Sequence, residues 1–97
     1  MLEITLKPIK SQSFNVQING QTCNIRLNQR GTGLFFDFIL NGKPILQGII
    51  CRIGFRLIRH KYLGFNGDLF FIDTQGSSDP EYSGLGTRYR LLYSPDL

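Results

Sequence analysis

The chain has 97 residues, 41% hydrophobic and 19% charged, and its 11 basic and 7 acidic side chains leave a net charge of +4. That length makes one domain, residues 1–97, with no room for a second core, and the composition excludes a disordered polymer. The mild positive charge permits nucleic-acid contact without arguing for it, and the apolar runs stop at strand length, far short of a membrane span.

Leu2-Glu3-Ile4-Thr5-Leu6 alternates with period two and predicts a first strand with Leu2, Ile4 and Leu6 on one face. Lys7-Pro8 ends it, because proline has no donor to continue a ladder. Phe14, Val16 and Ile18 then alternate with polar residues up to Asn19-Gly20, a strong hairpin signal, after which Cys23, Ile25 and Leu27 alternate again. With Asn19 and Gly20 as the turn, Ile18 faces Gln21, Val16 faces Cys23 and Phe14 faces Ile25. Both apolar sets then share one face, which a one-residue slip would destroy.

Asn28–Gly33 reads as a connecting turn. The next stretch, GLFFDFILNGKPILQGIIC from Gly33 to Cys51, carries a second hairpin around Asn41-Gly42. Apolar residues stand at nearly every position of Gly33–Leu40, which predicts a central strand covered on both faces. A two-residue turn sets Phe38 against Ile45, Phe36 against Gln47 and Leu34 against Ile49. Pro44 makes a longer loop, with a shifted register, an equal possibility. Asp37, a charge amid phenylalanines, needs a partner. An arginine such as Arg88 or Arg90 is the preferred one, and an intersubunit contact is the alternative.

From Arg52 to Gly64 the pattern loosens into an irregular connection carrying Arg59-His60-Lys61. Asp68–Asp73 predicts a short apolar strand. Gln75–Gly86 is the longest loop, where Asp79-Pro80-Glu81 suggests an N-cap and one helical turn. Thr87–Tyr93 closes the chain with Tyr89, Leu91 and Tyr93 on one face. About seven short strands with regular turns indicate an all-β fold, a single small antiparallel sandwich or barrel.

Chemistry is sparse. His60 is the only histidine, and Cys23, Cys51 and His60 lack the paired spacing of a zinc site. The two cysteines, with no signal-peptide pattern, suggest free thiols in a reducing cytoplasm. Asp68 and Asp73 fall at opposite ends and faces of one strand, so they do not form a carboxylate pair for acid–base work. The glycines at 31–33 and 84–86 lack the context of a phosphate-binding loop. The residues therefore indicate neither enzyme nor cofactor nor metal. The basic segment 52–61, with Arg52, Arg56, Arg59 and Lys61 beside Phe55 and Tyr62, offers one binding reading, a small nucleic-acid-binding β-barrel. A solvated loop or the rim of a protein interface is the preferred reading, since Tyr and Arg are enriched there.

Taken together, SQSFNVQINGQTCNIRL, GLFFDFILNGKPILQGIIC, KYLGFNGDLFFID and DPEYSGLGTRYRLLY resemble the baseplate plug family of contractile-tailed bacteriophages, over about Ile4 to Tyr93. The likeness lies in order and spacing, not in any catalytic signature. It implies a non-enzymatic structural subunit of the virion tail baseplate, assembled in the host bacterial cytoplasm and packed as a plug against hub and tail-tube proteins. A homo-oligomer is compatible with it, and neither a membrane nor a nucleic acid is implied as partner. By analogy, Tyr82, Leu85, Arg88 and Arg90 near the closing strand become candidate interface residues.

Overall fold

The computed structural model describes residues 2–18, 20–59, 65 and 67–95. Among the described residues, seven strands form two antiparallel sheets: β1 (Leu2–Ile4), β2 (Ser11–Ile18), β3 (Gln21–Arg30), β4 (Gly33–Leu40), β5 (Lys43–Ile50), β6 (Asp68–Asp73) and β7 (Tyr89–Ser94). One sheet is the meander β2-β3-β4-β5, and the other has the order β1-β7-β6. The first and last strands pair, with Leu2 opposite Tyr93 and Ile4 opposite Leu91.

The first hairpin has the register its alternation requires, with Ile18 opposite Gln21, Val16 opposite Cys23 and Phe14 opposite Ile25. Its Asn19 lies outside the described residues. β3 runs on to Arg30, so its connection to β4 is only Gly31 and Thr32. At the next hairpin Asn41 (φ 51) and Gly42 (φ 82) both have positive φ, the pattern of a type I′ turn, whose twist matches that of the strands. Asn41 also ties the turn to β3: its side-chain oxygen accepts from the Thr22 N–H at 3.1 Å, and its own N–H donates to the Thr22 carbonyl at 2.8 Å.

Beyond that turn the structure corrects the expected register. Leu40 faces Lys43 and Ile39 faces Pro44, but Phe38 then faces Leu46, and Phe36 faces Ile49. Two irregularities, one on either side of Phe38, each insert a residue into β5. Phe38 therefore does not meet Ile45, nor Phe36 Gln47. Gly48 sits at the second irregularity with φ 68, a conformation that a side chain would strain. Its N–H donates to Asp37 Oδ1 at 2.7 Å. Asp37 thus satisfies a donor that the bulge removes from the ladder, whereas Arg88 and Arg90 pair elsewhere.

The core lies between the sheets. Leu34, Phe36 and Phe38 of β4 are fully enclosed, with Cys23, Ile25 and Leu27 of β3 and Leu69, Phe71 and Leu91 of the other sheet. Phe36 stacks on Phe38 at 6.0 Å between ring centroids. Phe38 meets Phe65 edge-on at 5.1 Å, and Phe65 meets Tyr93 at 5.6 Å. This aromatic chain joins β4 to β7. β4 is covered on one face only: Phe35, Asp37 and Ile39 are half-buried, and Arg30 lies over the Phe35 ring at 5.1 Å. Leu2 is also largely exposed, so only Ile4 and Leu6 of the first apolar trio enter the core.

Candidate interaction surface

Residues 51–59 run along the outer edge of β6. Ile53 bridges to Phe71 and Arg56 to Phe70, and the Leu57 N–H donates to the Leu69 carbonyl at 2.9 Å. Asp68 fixes the end of this run. Its Oδ1 accepts from Ile58 N–H at 2.8 Å and from Leu69 N–H at 2.7 Å, and its Oδ2 accepts from Arg59 N–H at 2.7 Å. A carboxylate holding three backbone donors in a buried place is a strong local anchor. Leu57 and Ile58 are thereby packed inward, while Phe55 stays 55% exposed beside exposed Arg52, Arg56 and Arg59.

The structure brings Arg56 and Arg59 together, since Arg59 Nε donates to the Arg56 carbonyl at 2.8 Å. The Arg59 guanidinium lies over the Phe55 ring at 6.0 Å. Arg52 is turned toward the 75–81 loop, where Asp79 pairs with it at 3.6 Å and also accepts from the Ile53 N–H at 3.2 Å. Both side chains of that pair are half exposed, so its contribution to stability is small. Lys61, the fourth member of the predicted basic patch, and His60 lie outside the described residues.

The second candidate cluster surrounds a short 3-10 turn, Tyr82–Gly84. Its N-cap is Glu81, not Asp79 as the sequence suggests: the Glu81 carboxylate accepts from both the Ser83 N–H and hydroxyl. Asp79 is drawn away by Arg52 and Ile53. Tyr82 donates its N–H to Gln29 Oε1 at 3.0 Å, and its ring carries Lys10 Nζ at 5.6 Å. Leu85 is completely enclosed in the core. It offers no surface on the folded chain, which corrects its reading as an interface side chain. Gly86 passes so close to β1's continuation that a Cβ there would stand 2.4 Å from the Leu6 carbonyl oxygen.

Arg88 and Arg90 have structural partners. Arg88 forks onto Asp73, with Nε and one terminal nitrogen each at 2.9 Å from a carboxylate oxygen, the bidentate geometry that makes such pairs strong. The Arg88 hydrogen bond holds the Asp73 carboxyl well below the usual carboxylate range. Burial opposes this, and the N–H groups of Gln75 and Ser78 reinforce it. Asp73 in turn raises the Arg88 guanidinium. Arg90 donates to Glu3 Oε1 at 3.0 Å, tying β7 to β1. Cys23 and Cys51 are free thiols, and burial pushes them up to about 11 and about 12. Among the described residues no three metal-ligating side chains stand close enough to hold an ion.

The described residues thus form a two-sheet sandwich whose polar side chains mostly brace its own loops. The family model for the cyanophage baseplate Pam3 plug gp18 matches residues 1–96. The chain belongs to the cyanophage baseplate plug family. The match covers both sheets and both candidate surfaces, and the plug family supports a structural role in a phage baseplate. A comparison with curated proteins found no match.

The plug family could not have been read from a site motif. Asp68 and Gln29, which position the two candidate surfaces, act through backbone N–H groups 9 and 53 residues away. Only an aspartate opening an apolar strand hinted at the first.

Proposed function

We propose that this plug-family chain is a structural subunit at the distal end of a contractile phage tail, packing against hub and tube proteins to close or organise the central channel. The single observation that carries the reading is the family match over residues 1–96. The fold is compatible with work done by fit: most described hydrogen-bonding side chains brace the chain's own loops, and none converges on a reacting centre. Tyr82, Arg88 and Arg90 line one proposed contact surface, with the outer faces of the two arginines partly open despite their internal pairs. The chain acts here as a virion component and not as an enzyme. Purified chain mixed with hub and tube proteins of the same phage should co-elute with at least one of them in size-exclusion chromatography. Separate elution of all of them at micromolar concentration would count against the reading.

A further inference from the structure

The charge balance of the surface is uneven. Of the seven acidic residues, Asp96 lies outside the described residues, and the other six are engaged internally. Glu3 pairs with Arg90, Asp73 with Arg88 and Asp79 with Arg52. Asp37 holds Gly48, Asp68 holds residues 58, 59 and 69, and Glu81 caps the turn at Ser83. Arg56 and Arg59, both exposed, have no carboxylate within ion-pairing distance among the described residues.

Arg59 lines a groove, and Arg56 is tied to that residue through its carbonyl, which accepts from Arg59 Nε at 2.8 Å. A cavity of about 370 Å³ is lined by Leu46, Gly48, Ile49 and Ile50 of β5 and by Leu57, Ile58 and Arg59 of the facing segment. β5 is the outermost strand of its sheet, and no described strand pairs along its far side. The two bulges interrupt this edge, but Ile49 and Ile50 beyond them pair regularly with β4, and the outward backbone groups there can take another strand. A groove of mixed polar and apolar lining, the edge of β5 and Arg59, unpaired among the described residues and with Arg56 next to it, therefore lie together.

We propose that this groove docks an extended segment of a partner protein in which apolar side chains alternate with carboxylates. Successive side chains of a strand point to opposite sides. A segment lying along β5 would seat its apolar residues among Leu46, Ile49 and Leu57 and turn its carboxylates onto Arg56 and Arg59. A protein segment fits better than a nucleic acid. Single-strand binding uses a row of free aromatic faces for base stacking, whereas Phe55, the one largely exposed aromatic among the described residues, already carries Arg59 over its ring. The inference rests on charge and groove geometry and is independent of where in the virion the chain sits.

The test is an NMR titration of the isotopically labelled full chain with a short end-blocked peptide alternating isoleucine and glutamate. A matched peptide with lysine for glutamate and a thymidine oligonucleotide serve as the comparison arms. The acidic peptide should shift amide signals mainly within residues 45–50 and 55–59, and the lysine peptide should not. Arg56→Glu, alone and with Arg59→Glu, should weaken acidic-peptide binding about tenfold or more while leaving the thermal midpoint near wild type. The single variant gives the readout if the double one unfolds. Shifts located elsewhere, equal binding of the two peptides, tighter binding of the oligonucleotide, or no shift at millimolar peptide would each overturn the proposal.

Discussion

Phe38→Ala tests whether the aromatic chain between the sheets is what holds the domain together. The Phe38 side chain is fully enclosed, so truncation forfeits nearly all the transfer free energy of a buried phenyl group, about 1.5–3 kcal/mol. A residual cavity of about 70 Å³ would add about 1.7 kcal/mol at about 24 cal/mol per Å³. Two ring contacts are lost as well, to Phe36 at 6.0 Å and Phe65 at 5.1 Å. The expected cost is about 3–5 kcal/mol, in line with buried Phe→Ala substitutions generally. For a domain of this size, total stability is about 5–15 kcal/mol. Such a loss should lower the thermal midpoint by about 12–40 °C. Chemical denaturation of Phe38→Ala beside Phe35→Ala is the appropriate assay. Phe35 lies half-buried on the opposite face, and its truncation should cost well under half as much. Equal losses at the two positions, or a loss below about 1 kcal/mol at Phe38, would refute the one-sided core.

The remaining predictions concern single side chains. Asp68→Asn exchanges one accepting oxygen for a donor facing backbone N–H groups, so it should cost about 1.5–3 kcal/mol. Amide exchange at Ile58 and Arg59 should accelerate more than at Cys23, and uniform acceleration would contradict the anchor role. Asp73 has a folded-state pKa depressed chiefly by Arg88, so its stabilisation is complete above the ordinary carboxylate pKa of about 4. It is lost as the pH falls below that value, and the difference in thermal midpoint between wild type and Asp73→Asn should shrink from pH 6 toward pH 2. A constant difference would refute the pairing. At pH 8 a thiol with a pKa of about 11, such as Cys23, or about 12, such as Cys51, is roughly a thousandth or less ionised, against about a quarter for a free one. Labelling of either thiol should therefore follow global unfolding, and fast labelling of the native chain would show an opening that this fold does not contain.

Local patterns made part of this fold legible. The first hairpin could be registered because Asn19-Gly20 marks the turn and Phe14, Val16, Cys23 and Ile25 alternate cleanly on either side. The second could not, because nothing in KPILQGII says that β5 takes two irregularities before it reaches Phe36. The cluster of phenylalanines in β4 reads as two-sided burial. In the fold, Phe35 instead covers a surface with Arg30 above it. Asp37 was visible as a charge in need of a partner, but that partner is a backbone N–H freed by a bulge. The candidate surfaces were less legible for a similar reason. Arg88 and Arg90 find their carboxylates 15 and 87 residues away, and Leu85, between two glycines, has no periodicity to reveal that it is buried. Order and spacing along the whole chain carried the family resemblance where no single site did.

Electron microscopy of intact phage particles tests the central claim most directly. A two-sheet domain with principal extents of 31 × 24 × 20 Å should be found in density at the distal end of the tail, in contact with hub or tube subunits. A well-resolved baseplate with no density that fits this sandwich would contradict the account.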